Sequence, residues 1–273
     1  MFGALVLEVV PGLPELEAIA ITVARAAAVH VAANFGKAAS IGTKSSDTDV
    51  VTQTDVDTET LIRRLLGEAT PGCGFVGEEG GGTGADRRLQ WIIDPLDGTV
   101  NFLYAVPIFS VSIAAAVDGE FVAGAVVDAM RAEVFSAHVG GGARRDGVPL
   151  SVSSCSALPL ALIGTGFSYT PRLRAIQGDI ISRMLPIVRD IRCFGSAALN
   201  LCWVAMGRTD GYFERDIKVW DWAAGAIIAA EAGAEVEFPC PENDGLVMAV
   251  GPGIVDQLRT ATLALPKEPV IVG

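Results

Sequence analysis

The sequence predicts an α+β fold in two parts: helices and an antiparallel sheet first, then alternating strands and helices. Three observations carry this. Residues 14–35 and the segment from about residue 54 to Leu66 have helical apolar spacing. From Gly74 the pattern changes to short strands, and Asp118-Gly119 between the apolar runs 109–117 and 121–127 is a strong hairpin signal. Beyond a stretch rich in Ser, Cys and Pro at 151–156, strand and helix patterns alternate. That stretch is the expected boundary between an N-terminal domain, 1–152, and a C-terminal domain, 153–273.

Taken in order, helix 14–35 is Ala-rich and stops at Gly36, and a polar loop over 44–49 follows. The second helix starts near 54–57 with acids in its first turn and places Leu61, Ile62, Leu65 and Leu66 on one face. Phe75-Val76-Gly77 reads as a strand leading into Glu78-Glu79 and a glycine-rich loop, and Gln90-Trp91-Ile92-Ile93 as a strand that ends at Asp94. Residues 134–137 and the turn Arg145-Asp146-Gly147 extend the antiparallel pattern. In the second part, 160–164, 191–194, 211–214, 234–238 and 246–250 read as strands. Residues 172–188, 196–206, 221–232 and a terminal segment read as helices.

Composition narrows the function. The chain has 273 residues, 51% of them hydrophobic, and a mean hydropathy of +0.44, so membrane insertion has to be tested first. The stretches 104–117 and 196–207 are interrupted by Pro107, Ser110, Ser112 and Asn200, short of the roughly 18–20 apolar residues a span needs. The N-terminus lacks a basic region, which speaks against a signal peptide. Five scattered cysteines form no CxxC pair, so neither a disulfide framework nor a thiolate zinc site is expected, and a reducing cytoplasm fits. A net charge of −12 disfavours a nucleic-acid partner, while abundant carboxylates suit hard divalent cations.

The chemistry concentrates in Asp94-Pro95-Leu96-Asp97-Gly98-Thr99. An apolar strand ends in a turn that lets the Asp94 and Asp97 carboxylates and the Leu96 carbonyl converge, a set of oxygen ligands suited to magnesium. Gly98-Thr99 then offers backbone N–H groups where a helix starts, a seat for phosphate. Alone, this motif also reads as a strand exit with capping Asp residues. Glu78-Glu79, Asp221 at the head of an apolar helix, and Asp55 at the head of another each have a bland alternative as a solvated loop or a helix cap. Neither His30 nor His138 belongs to this set.

In order, Asp55, Glu78-Glu79, Asp94-Pro95-Leu96-Asp97-Gly98-Thr99 and Trp220-Asp221-Trp222-Ala223-Ala224 resemble the signature of the inositol monophosphatase family. GEEGGG, DGTVNF, GTGF, IRCFGSAALNLC and YFE…VWDWAAG place the resemblance closest to its bacterial inositol-1-monophosphatase branch. The resemblance implies a layered α-β-α-β-α sandwich of the inositol monophosphatase and fructose-1,6-bisphosphatase type. It implies that Glu78, Asp94 and the Leu96 carbonyl hold one Mg²⁺, and that Asp94, Asp97 and Asp221 hold a second. A third, weaker ion would lean on Glu78, with Glu79 in the outer shell. Glu78, Thr99 and Asp55 form the implied catalytic set, Thr99 bonded to Asp55 and orienting the attacking water. Lys44 matches a lysine on a mobile loop that also carries Asp49. Asp97, Gly98 and Thr99 are implied at the phosphate, and Gly195, Ser196, Ala197, Glu214 and Ser168 on the alcohol side, with Lys218 near enough in sequence to alter preference.

The implied reaction is Mg²⁺-dependent hydrolysis of inositol 1-phosphate or a related polyol monophosphate by a lithium-sensitive homodimer. Fructose 1,6-bisphosphate, histidinol phosphate and 3′-phosphoadenosine nucleotides are alternatives within the same chemistry. A regulatory binding protein of the transcription or RNA machinery is the alternative of another class. The stretch 238–246 is shorter than usual in the family.

Overall fold

The computed structural model describes residues 10–37, 40–44 and 49–263. The first nine residues, on which the signal-peptide reading partly rests, and residues 45–48 of the polar loop lie outside them.

Helix α1 (Leu13–Asn34) has proline in its first turn, where a missing N–H costs nothing. Leu16, Ala20, Val23, Ala24, Ala27 and Val31 recur at helical spacing and are buried. Strands β1 (Ser40–Thr43) and β2 (Val50–Thr52) form a two-stranded antiparallel ribbon, and α2 (Gln53–Ala69) follows directly. The next strands are β3 (Gly74–Gly77), β4 (Gly81–Thr83) and β5 (Leu89–Asp97), followed by the short helix α3 (Thr99–Leu103). Then come β6 (Ser110–Val117), β7 (Glu120–Asp128), β8 (Val134–His138), β9 (Arg144–Arg145) and β10 (Val148–Pro149). These strands make an eight-stranded sheet ordered β10-β9-β8-β7-β6-β5-β3-β4.

The remaining chain runs β11 (Leu162–Thr165), α4 (Pro171–Met184), β12 (Asp190–Cys193), α5 (Ala197–Ala205) and β13 (Gly211–Arg215). It continues through α6 (Val219–Glu231), β14 (Glu235–Glu237), β15 (Leu246–Val250) and α7 (Val255–Leu263). Its five strands are ordered β12-β11-β13-β15-β14.

Period-two alternation sorts the strand side chains between layers. Trp91, Ile93, Val111, Ile113, Ala125 and Val127 pack with α1 and α2, whereas Ile92, Ala114, Ala116 and Val126 pack with α5 and α6. From the second sheet, Tyr212, Val247 and Ala249 meet α5 and α6, and Ile163, Phe213, Met248 and Val250 meet α4 and α7. The layers are therefore helix, sheet, helix, sheet, helix, as the resemblance implies. Helices α5 and α6 lie between two sheets, which is why they are apolar nearly all round. Gly124 admits α6 closely, since a Cβ there would sit 2.9 Å from Ala224 Cα.

The Asp118-Gly119 hairpin forms with both residues at positive φ, 52° and 89°, the conformation a two-residue turn requires. Several expectations needed correction. The first sheet is not wholly antiparallel, because β3 pairs parallel with β5 while β4 pairs antiparallel with β3 at the edge. The glycine-rich loop therefore contributes a strand. The second sheet is mixed, with β13–β15 and β14–β15 antiparallel. The strand expected from Leu160 starts at Leu162, after a 3₁₀ turn seeded by Pro159. Helix α4 stops at Met184 rather than near 188. Helix α1, which lies outside the two apolar stretches 104–117 and 196–207, is also long and apolar enough to cross a membrane, with a mean hydropathy of 1.6. Its apolar stripe packs on the sheet. Among the described residues Cys155, Cys193, Cys202 and Cys240 form no disulfide.

Candidate active site

Strand β5 does not end at Asp94 as expected; it continues to Asp97 through a bulge. Pro95 has no N–H to give the ladder, and the register on β6 shifts between Asp94↔Ser112 and Asp97↔Ser110. The Leu96 N–H turns instead to Asp94 Oδ1 at 3.0 Å. Gly98 follows at φ 100°, where a Cβ would also meet the Gly195 carbonyl oxygen at 3.0 Å. Glycine thus lets the chain turn beneath residue 195 and start α3 at Thr99.

Asp97 points to the N-terminus of α5. Its Oδ2 accepts from the Ser196 hydroxyl at 2.5 Å and the Ala198 N–H at 2.9 Å, and its Oδ1 accepts from the Ala197 N–H at 3.1 Å. Asp221 lies in the first turn of α6 and its Oδ2 accepts from the Lys218 N–H at 2.6 Å. Asp55, in the first turn of α2, is buried and accepts the Thr99 hydroxyl at 2.9 Å and the Thr52 N–H at 2.9 Å. The Thr99 hydroxyl also lies 3.1 Å from the Leu96 carbonyl oxygen. Glu78 and Glu79 follow β3, and the Lys44 ammonium contacts both, at 2.8 Å from Glu78 Oε1 and 2.6 Å from Glu79 Oε1.

These groups feel one another strongly. Burial pushes Asp94 well above the usual carboxylate range, and Glu78, Asp97 and Asp221 push it further. Asp221 is raised likewise by burial, Glu78 and Asp97. Asp97 is raised by burial against the opposing hydrogen bonds from Ser196, Ala198 and Ala197. Glu78 is pushed up to about 7 by burial, with Lys44 opposing and Glu79 and Asp55 adding. Glu79 is raised by burial, which outweighs its bond to Lys44. For Lys44, burial lowers the ammonium, and the two glutamates more than reverse that.

On the alcohol side the picture is mixed. Glu214, on β13, accepts the Tyr212 hydroxyl at 2.6 Å and is pushed up to about 7 by burial. Ser168 is buried and its hydroxyl donates to Asp216 at 2.7 Å, so its donor is turned away from a ligand. The donors of Ser196 and Ala197 are committed to Asp97, which makes that segment a cradle for the carboxylate. Lys218 reaches Asp216 at 4.0 Å. Tyr169, which sequence reasoning passed over, has its phenol raised by burial and then by Asp49, Glu214, Asp97 and Glu78. The only sequence signal for it was the aromatic pair flanking Ser168.

The donor set Glu78, Asp94, Leu96 carbonyl, Asp97 and Asp221 is all oxygen, with Asp94 and Asp97 buried and Glu78 and Asp221 half-buried. The acids around Asp94 and Asp221 push both up, and the set so fits a hard divalent cation. It is not, however, a preassembled cage. Among the described residues no group of three or more His, Cys, Asp or Glu stands at metal-holding spacing. Asp94, Asp97 and Asp221 are turned to nearby N–H groups and Glu78 to Lys44, which accounts for the difference.

The model of the inositol monophosphatase family matches residues 13–265. An inositol-1-monophosphatase of Mycobacterium leprae is 49% identical over 80% of this chain and 79% of its own length. The Nus factor SuhB of Pasteurella multocida is 38% identical over 88% of this chain and 92% of its own. The structure of an inositol monophosphatase from Anabaena superimposes with a TM-score of 0.83 at 32% identity, covering 93% of this chain and 97% of that one.

Proposed function

Because the chain belongs to the inositol monophosphatase family and carries its phosphatase chemistry, we propose that it hydrolyses a polyol monophosphate, inositol 1-phosphate first among them, with Mg²⁺. The observation that carries this is the crowding of Glu78, Asp94, Asp97 and Asp221, four acids from three segments: Asp94 and Asp97 are buried, and Glu78 and Asp97 push up both Asp94 and Asp221. Two Mg²⁺, and a third with the help of Glu78, would be held by these carboxylates and the Leu96 carbonyl. Bound there, they supply charge neutralisation for the phosphoryl group and a lower pKa for water.

The chain's own residues divide the remaining work. Asp55 takes the Thr99 proton in a hydrogen bond, leaving Thr99 lone pairs to accept from, and so orient, the attacking water. Backbone N–H groups at Gly98 and Thr99, where α3 starts, would donate to phosphate oxygens. Lys44 closes over the acids from the β1–β2 loop, and Glu79 acts behind Glu78. Tyr212 occupies Glu214 Oε2, so Oε1 is the oxygen that takes alcohol hydroxyls. Its charge also opposes a second phosphate on the substrate. A cytoplasmic, lithium-sensitive homodimer of two lobes, 1–152 and 153–273, completes this reading.

A substrate panel with and without Mg²⁺ tests it. Fastest phosphate release from inositol 1-phosphate, lost on chelation, is expected; faster turnover of histidinol phosphate, fructose 1,6-bisphosphate or a 3′-phosphoadenosine nucleotide would reassign the substrate. A regulatory role has in its favour the P. multocida relative named as a Nus factor, and a folded chain inactive on the whole panel would turn the reading to it.

A further inference from the structure

We propose that Glu59, held by Arg63, is a positioning residue that fixes the Glu78–Glu79 turn and thereby sets how tightly the site takes a divalent cation; this rests on the metal reading of Glu78. Glu59 is 2% exposed, on α2. Its Oε2 accepts the Glu79 N–H at 2.7 Å, and its Oε1 accepts the Gly80 N–H at 2.9 Å and the Arg63 Nε–H at 2.6 Å. Arg63 in turn donates from Nη2 to the Gly81 carbonyl at 2.6 Å and lies over the Phe75 ring, 5.3 Å from its centroid. The turn presenting the two glutamates is therefore fastened to α2 through the backbone of three consecutive residues.

Two glycines allow this close approach. A Cβ on Gly77 would collide with Glu59 Oε1, and one on Gly80 would lie 2.8 Å from it. Glu59 is buried with a donor on each oxygen and a guanidinium beside it, so it acts through the turn and does not wait for a ligand of its own. Four residues earlier, on the same face of α2, Asp55 holds Thr99. One turn of helix thus anchors both the residue that orients water and the loop that offers Glu78, and fixes the spacing between them. Such supports behind a metal ligand carry about 10–100-fold in affinity.

The test is Mn²⁺ titration of the full chain by calorimetry, beside thermal unfolding and Mg²⁺-saturation kinetics, for wild type, Glu59→Gln and Arg63→Met. Glutamine keeps the size of Glu59 but sets an NH₂ against an N–H donor. The Mn²⁺ Kd should rise about tenfold or more in Glu59→Gln, with kcat largely recovered at saturating Mg²⁺. A merely structural pair would lower the unfolding temperature and leave the Kd alone, and that result overturns the proposal. Should Glu59→Gln fail to fold, Arg63→Met decides: a weaker Mn²⁺ Kd supports the proposal and an unchanged one overturns it. A wild-type chain that takes no Mn²⁺ defeats the metal reading and this inference together, whereas wild-type binding that Glu59→Gln matches defeats the role of Glu59 alone.

Discussion

Two groups of polar side chains interrupt the apolar layers, one on each face of the eight-stranded sheet, and they are built on opposite principles. On the α1 face, Glu17 accepts the Ser136 hydroxyl at 2.7 Å with one oxygen and faces His138 Nδ1 with the other. One carboxylate thus engages both a hydroxyl and an imidazole of β8, and the circuit is closed. On the α5–α6 face, Asp94, Asp97 and Asp221 crowd together with Glu78, which with Asp97 pushes up both Asp94 and Asp221, and Lys44 is the neighbouring cation. A scaffold avoids buried charge of one sign, and a cation site requires it. Glu17 faces donors, whereas Asp94 and Asp221 face other acids as well as donors.

The largest effect that would test this contrast is expected from Asp97→Asn. Phosphate release should fall by at least about a thousandfold with an unchanged circular dichroism spectrum, and near-normal turnover would dissolve the functional half of the comparison. Next comes Glu17→Ala, which strands the Ser136 hydroxyl and the His138 ring. It should cost about 3 kcal/mol in urea unfolding while kcat/KM stays as in wild type; a folded but inactive variant would break the structural half. Mg²⁺ at about 100 times its Kd should stabilise wild type and Glu17→Ala alike by about 2.7 kcal/mol. Asp94→Asn should show none of that gain, and an equal gain there would move the cation elsewhere.

The smallest effect concerns pH. Glu214 is pushed up to about 7 from 4.5 by burial, so between those values the folded chain keeps a proton that the unfolded chain releases. Its contribution to stability therefore declines as pH rises through that window and is least favourable above 7. Glu214→Gln lacks this decline and should gain roughly 3 kcal/mol on wild type between pH 4.5 and 8. Parallel urea midpoints for the two proteins across that range would reject it.

Much of this was legible in the residues. The hairpin at Asp118-Gly119, the helices and the acids of the motif segments follow from local chemistry, and the long order of motifs pointed to the layered sandwich. What stayed hidden depends on distant partners. Glu59 and Arg63 look like an ordinary i,i+4 surface pair, and nothing local says that the carboxylate reaches residues 79 and 80. Nothing local said that the Ser168 hydroxyl would donate to Asp216, 48 residues away. The acids showed that they would gather, but not that each would first turn to the nearest N–H or to Lys44. Parallel pairing of β3 with β5 was obscured because the glycine run between them folds back as an edge strand.

The bulge at Pro95-Leu96 also works as a frameshift in the pleat. Residues three apart on a regular strand face opposite ways, yet Asp94 lies across from Ser112 and Asp97 across from Ser110, two positions apart on β6 and so on one face. Lengthening or shortening this segment by one residue would keep every acid and still deliver one of them among Trp91 and Ile93, on the wrong side of the sheet. The number of residues between the two aspartates is thus as strict a requirement as their identity.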